Sequence, residues 1–238
     1  MRPRIAGRSA REAKLPSERA WQRSRVLEPR LVSRYPTFVS DGGSPPFAPS
    51  ALLAPSGGLD AADGAVDALL SLLLAQGVAV DLGDWRALVR TEDEAVFARG
   101  LPPQLALVAV RRDSRRQRWV ASASSIEQQL VATRDGIRAS PWRLDPTQEL
   151  APDERTLRLL VTERAFASGQ SAERRILPPD IHLGEDEIIL TVYVEPRPGF
   201  QTGSRNPETP VQVLMPEAVG GRRLTDGALA PQGLNGPP

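Results

Sequence analysis

The chain has 238 residues, 40% of them apolar and 25% charged, with a net charge of +1, no cysteine and a single histidine. That is length enough for one substantial core or two small ones, with a composition of the soluble kind. It excludes thiol nucleophiles, thiolate zinc sites, disulfides and metal centres built on two histidines.

Charge is unevenly spread. Residues 1–34 hold ten basic groups against Glu12, Glu18 and Glu28, which leaves 20 basic against 26 acidic groups in the rest. Prolines at 3, 16, 29 and 36 interrupt this basic leader and no apolar period runs through it, so it is expected to be mostly disordered. A basic arm for nucleic acid is one reading of it. A plain extension is favoured, because no aromatic-basic pattern recurs and the arginine bias extends over the whole chain, Lys14 being its one lysine. No apolar run of suitable length follows the early arginines, so a secretory signal is not expected and the sequence as it stands reads as cytoplasmic. Residues 37–58, with Gly42-Gly43, Pro45-Pro46 and Ser56-Gly57-Gly58, read as a linker. A globular domain is expected over 59–230, with a sub-boundary near 140, and a disordered tail over 231–238.

Asp60 to Gln76 predicts the single helix. Asp60 is placed to cap it, Asp63 and Asp67 suit the positive end of its dipole, and Gly77 can stop it in the left-handed region. Ala62, Val66, Leu69, Leu70 and Leu73 fall on one face, which needs a partner surface. The apolar run there is too short and too polar to span a bilayer. Val78 to Val80 then predicts a short strand, and Glu94–Arg99, Leu105–Arg112 and Gln117–Ala123 predict a meander with a turn at Arg112-Asp113-Ser114-Arg115. Ser124 to Ser140 is of mixed character, with a helical turn at Ile126 to Val131. Trp142-Arg143-Leu144 re-enters the sheet, and Val211 to Met215 is the expected final strand.

The strongest strand signals lie between them. Ile188, Leu190, Val192 and Val194 share one face of Glu187–Glu195, with Ile189, Thr191, Tyr193 and Glu195 on the other. Leu157, Leu159 and Val161 repeat the alternation upstream. Pro178-Pro179 and Pro196-Arg197-Pro198-Gly199 bound these strands, because proline donates nothing to a ladder.

The strings WRLDP (Trp142 to Pro146), VTERA-x-ASGQSAE from Val161, LPP, EPRPGFQT, NPETP from Asn206 and GGRRLTDG resemble the C-terminal part of a family of exported proteins of high-GC bacteria. That family has no established activity to carry over. The resemblance runs from roughly Trp85 to Asp226. It implies an envelope-associated setting for relatives, and it implies that Phe166 and Gly203 stand where the family has two cysteines that pair. Both are lost together here.

Motifs that carry chemistry are absent: no GxxxxGK[ST], strand-borne GxGxxG, GxSxG or HExxH occurs. No catalytic residue, metal ligand set or cofactor is therefore assigned. His182 falls opposite its apolar neighbours Ile181 and Leu183, as a surface histidine would. Glu185, Asp186 and Glu187 read as a solvated turn rather than a calcium loop, since consecutive carboxylates diverge. The ligand candidates are Glu163 and Arg164, which continue an apolar strand and face opposite sides of it, and Asn206 in the turn Gln201 to Pro210. A buried ion pair competes for the first two, and backbone capping competes for Asn206 and Thr202.

The whole reads as a mainly β, sandwich-like, mostly antiparallel domain with one N-terminal helix, the alternative being α+β. The expected function is a non-enzymatic structural or binding domain. The alternatives are a carboxylate-based hydrolase or a cation- or saccharide-binding module, and, third, association with nucleic acid through the leader. The partner is not specified by the sequence; nucleic acid is disfavoured and no transmembrane segment is expected.

Overall fold

The computed structural model describes residues 15–33, 36–40, 44–101, 105–125, 129–203 and 206–230. They are 39% strand and 13% helix, arranged in three mostly antiparallel sheets with no barrel, so the fold is mainly β as the composition implies. The expected tail 231–238 and residues 1–14 of the leader lie outside the described residues, as does the start of the turn expected at Ile126.

Where the sequence reads a mostly disordered leader and linker over 1–58, the described part of that stretch is built into the fold from Glu18 onward. Helix α1 (Glu18–Arg23) buries Trp21, strand β1 (Val26–Leu27) buries Leu27, and β2 (Arg30–Leu31), β3 (Thr37–Ser40) and helix α2 (Pro49–Leu52) follow. Two-residue strands leave no period for a sequence to display. They form here because β1 runs parallel to a sheet edge at Gln212 and Val213, and β2 runs parallel to another at Asp180 and Ile181. Among the described residues the number of α-helices also changes from one to three.

The main helix α3 spans Gly64–Ala75, shorter at its start than expected. Asp63 rather than Asp60 caps it, its carboxylate accepting from the Ala65 amide at 2.8 Å, while Asp60 closes the preceding turn on the Ala62 amide. Gly77 does adopt a positive φ of 69° beyond its end. Val66, Leu69 and Leu73 are buried as the stripe requires, but Leu70 is half-buried and Ala62 is exposed.

Beneath α3 lies a four-stranded meander, β4 (Trp85–Arg90), β5 (Glu94–Arg99), β6 (Ala106–Asp113) and β7 (Arg118–Ser125), in that order. Its two faces serve two cores. Ala95, Phe97, Ala106, Val108 and Val110 meet α3, while Val96, Ala98, Leu107 and Ala109 face Phe38, Phe47 and Leu52. Covering on both faces explains why β5 and β6 are continuous apolar runs. Strand β4 was not expected; a bulge between Ala87 and Val89 breaks the alternation that would have marked it. The segment Val78–Val80 forms no strand and packs half-buried against the α3 core instead.

The region expected to be mixed or helical is a hairpin, β8 (Leu130–Arg134) and β9 (Ile137–Ser140), closed by Asp135-Gly136 with φ of 53° and 78°. Positive φ at both turn residues is the two-residue geometry that Asp-Gly favours. The rest of the domain is β10 (Trp142–Leu144), β11 (Thr156–Thr162), β12 (Asp180–Leu183), β13 (Glu187–Tyr193), β14 (Glu208–Leu214) and β15 (Arg223–Asp226). The last of these follows β14, the strand expected to be final.

One sheet has the order β1-β14-β11-β10 and the other β2-β12-β13-β9-β8-β3, with β15 also on β13. Ile188, Leu190 and Val192 of β13 face Leu157, Leu159 and Val161 of β11 across a sandwich core that also takes Leu27, Ile181, Val211 and Val213. The two alternating strands of the sequence thus do cover a common core. The other face of β13 turns away from it, with Tyr193 in the core beneath the meander.

Phe38 is 1% exposed, in a segment that the sequence alone reads as linker. Phe38→Ala is expected to cost about 3–5 kcal/mol, the usual penalty for emptying a buried phenylalanine site. Urea unfolding measures this, and a loss below about 1 kcal/mol would mean that β3 is not packed.

Candidate functional site

Two polar assemblies flank the sandwich, and the sequence candidates fall in the first. Glu163 continues the inward register of Leu157, Leu159 and Val161, so its carboxylate enters the end of the core with a side chain 1% exposed. Such a charge needs a partner. Arg175 provides it with a two-pronged ion pair, both N–O distances being 2.5 Å, and also donates to the Glu195 carbonyl at 2.7 Å. The arginine beside Glu163 in sequence is not its partner: Arg164 Nε donates to the Ala139 carbonyl at 3.1 Å.

Asn206 spans the same corner. Its Nδ2 donates to the Glu163 and Ala165 carbonyls at 2.9 and 2.5 Å, and its Oδ1 accepts from the Ala167 amide at 3.2 Å. All three bonds are to backbone, the capping role weighed against ligand contact. Thr202 donates its amide to Ser168 Oγ, which itself donates to Gln201 Oε1 at 3.0 Å. The Thr209 hydroxyl accepts from the Ala172 amide. Glu163, Arg164 and Asn206 are therefore brought together, but as a brace between two loops. The rim of the Phe166 ring lies 3.7 Å from the Cβ position of Gly203, so the two sites of the implied family disulfide are neighbours, with the ring between them; that ring is 64% exposed.

The second assembly was not anticipated. The face of β13 opposite the sandwich core, with β12, floors a cleft of about 550 Å³. Ile189, Thr191, Tyr193, Asp180 and His182 line its floor, Arg30 to Ser33 and Pro36 one wall, and Thr133 to Asp135 the other. Asp180 lies at its centre, 8% exposed. Its Oδ1 accepts from Arg30 Nε at 2.8 Å and Arg134 Nη1 at 2.7 Å, and its Oδ2 accepts from Arg30 Nη2 at 3.0 Å. Arg134 also donates to the Pro178 carbonyl at 3.1 Å and lies over the Tyr193 ring, 4.4 Å from its centroid.

Tyr193 is fully buried, and its hydroxyl makes no hydrogen bond of acceptable geometry. Burial first, and the nearby Asp180 charge second, hold the phenol protonated far above its ordinary pKa. His182 Nδ1 lies 3.3 Å from the Val32 carbonyl, so in the tautomer protonated there it secures the wall to the floor.

Two signals could have pointed here. A tyrosine stands mid-face on the supposedly exposed side of the best strand, and the Asp-Gly pair marks the hairpin that carries Arg134. Arg30, set in the leader, gave none. The acidic turn behaves as expected: Glu185 and Asp186 are exposed, and Glu187 pairs with Arg223 at 2.6 Å. Among the described residues no cluster of three His, Cys, Asp or Glu could hold a metal, and no helix is long and apolar enough to cross a membrane.

Behind the cleft, Asp226 fastens β15 to the sandwich, accepting from the Ala228 and Trp142 amides at 2.9 and 3.1 Å, while Trp142 Nε1 donates to the Leu190 carbonyl. Gly227 follows with no room for a side chain: a Cβ there would sit 2.2 Å from Thr191 Oγ1.

Comparison with protein-family models, curated proteins and solved structures finds no match.

Removing half of the buried pair by Glu163→Gln leaves the Arg175 charge uncompensated, and is expected to cost about 3 kcal/mol in chemical denaturation. A cost near zero would mean that the carboxylate is solvated.

Burial raises the Asp226 carboxyl to about 6, against the opposing pull of its two amides and of Arg164. A carboxyl with a raised folded pKa takes up a proton on folding. Its contribution to stability is therefore largest below about pH 4 and is lost as the pH rises through about 6. From about pH 4 to pH 8, wild type should lose up to about 3 kcal/mol relative to Asp226→Asn. A constant difference between the two would show that the group titrates normally.

Proposed function

We propose that the chain is a non-enzymatic binding domain whose ligand is a small polar molecule seated in the cleft over β13. The observation that carries this reading is the cleft of about 550 Å³ over β13, where Arg30 and Arg134 converge on Asp180 and the buried Tyr193 hydroxyl, close to Asp180, makes no well-formed hydrogen bond. A lone buried polar group costs about 1–3 kcal/mol, and it persists where it serves a purpose other than stability. Concave sites with a few converging polar groups are where small molecules bind.

Binding is supported over hydrolysis by how the buried carboxylates are spent. Glu163 is held by Arg175, Asp180 by two arginines, Asp226 by two backbone amides, and Asp145 by the Thr147 amide and hydroxyl. No two of them share a cleft in which one could act as acid and the other as base or nucleophile. A role at the cell envelope accords with the resemblance carried by the WRLDP, VTERA and NPETP strings.

Tyr193→Phe separates a ligand contact from a structural accident. The variant is expected to melt higher than wild type without ligand, since an unsatisfied hydroxyl is removed. Amide NMR of the full chain with millimolar acetate, phosphate, glycine and glucose should place wild-type shift changes at Thr133–Asp135, Asp180–His182 and Ile189–Tyr193, reduced in the variant. Changes confined to other surfaces, or equal in both proteins, would rule this site out.

A further inference from the structure

Resting on that cleft reading, we infer that the ligand is a small oxyanion, a molecule presenting a carboxylate or a phosphate to Arg30 and Arg134. The argument lies in which hydrogen-bonding groups remain unspent. Arg30 uses Nε and Nη2 on Asp180, and Arg134 uses Nη1 on Asp180 and the Pro178 carbonyl. Arg30 Nη1 and Arg134 Nε and Nη2 have no acceptor among the described residues. They make the cleft rich in donors.

Local charge is compatible with this: two guanidiniums converge on the Asp180 carboxylate, while Asp135, whose charge acts on Arg30, balances the lining as a whole. Asp135, the other acid of the lining, stands at the exposed hairpin turn and forms no ion pair among the described residues. Water and salt screen such a rim charge, whereas Arg134, with a side chain 14% exposed, is screened far less. His182 faces the same space but is tied to the Val32 carbonyl.

A guanidinium is a planar fork matched to two oxygens of a carboxylate or phosphate. Here Asp180 fixes both forks, one of them also stacked on Tyr193, so neither has to be ordered when the ligand arrives. The bound oxyanion would take the outward edge of Arg30 and the flank of Arg134.

The test uses the full chain and three probes of comparable size or charge: glucuronate, glucose and inorganic phosphate. Calorimetry gives affinities, and amide NMR locates them. Glucuronate or phosphate is expected to perturb the cleft at concentrations where glucose does not, with affinity falling several-fold between 50 and 300 mM sodium chloride. Tighter binding of glucuronate would identify the group as a carboxylate, and tighter binding of phosphate as a phosphate. Arg30→Met should weaken the better anion at least tenfold without changing the fold, because this side chain is 57% exposed. Arg30→Lys, which keeps the charge but not the fork, should recover only part of the loss.

Glucose binding in the cleft as tightly as glucuronate, without salt dependence, would overturn the oxyanion assignment and leave the binding-domain reading standing. Failure of both anions to perturb the cleft, or anion binding that survives Arg30→Met unchanged, would also overturn it.

Discussion

Strand β13 is the constraint on which the rest depends. One face, Ile188, Leu190 and Val192, closes the sandwich against β11 and β14, while the other carries Tyr193 into the core beneath the meander. Along one edge it pairs with β12, and along the other it takes β15 at Glu187–Leu190 and then β9 at Val192 and Tyr193. A strand buried on both faces and paired on both edges cannot slip by one residue without exchanging the two sets of side chains. This register also shapes the cleft: shifting it would send Thr191 and Tyr193 into the sandwich and leave the cleft an apolar floor.

The N-terminal segment acts on both sheets at once. β1 adds to the edge of β14, and two residues later β2 adds to the edge of β12, so Glu28-Pro29 crosses from one layer of the sandwich to the other. Leu27 seals the core beside this crossing, and Arg30 lies opposite Asp180 in the ladder, which is why its guanidinium reaches that carboxylate. The basic charge of this segment, expected from the sequence to lie in a mostly disordered extension, is thus partly a component of the cleft. Edge pairing also covers strand edges that would otherwise invite association.

Legibility followed the range of the signal. The faces of β11 and β13 and the stripe of α3 could be read because a period repeated over several turns or residue pairs belongs to the segment itself. β4 was hidden by a bulge, β8 and β9 by being four or five residues long with only Asp135-Gly136 to mark their turn, and β1 and β2 by having only two residues each. The cleft was illegible for another reason. Arg30, Arg134, Asp180 and Tyr193 are separated by up to 163 positions and meet through curvature of a six-strand path, which no local pattern encodes. Glu163 and Asn206 drew notice for a sound reason, a charge and an amide at the end of an apolar strand. What could not be read was their partners, and the partners decide that they brace rather than bind.

The two polar assemblies divide the work of the sequence. The residues of the WRLDP, VTERA and NPETP strings are occupied with backbone and with each other or near neighbours: Asn206 bridges three main-chain groups, Asp145 turns the chain at Thr147, Trp142 donates to the Leu190 carbonyl, Arg143 pairs with Glu208, and Glu163 pairs with Arg175. Such contacts hold loops and sheet edges in place, and any chain with the same loops needs them whatever it binds. The cleft residues lie mostly outside those strings, on β2, β8, β12 and β13, and replacing Arg30 or His182 would disturb little of the sandwich core. The contacts made by the strings build a scaffold, and the ligand has to be read from the side chains lining the cleft.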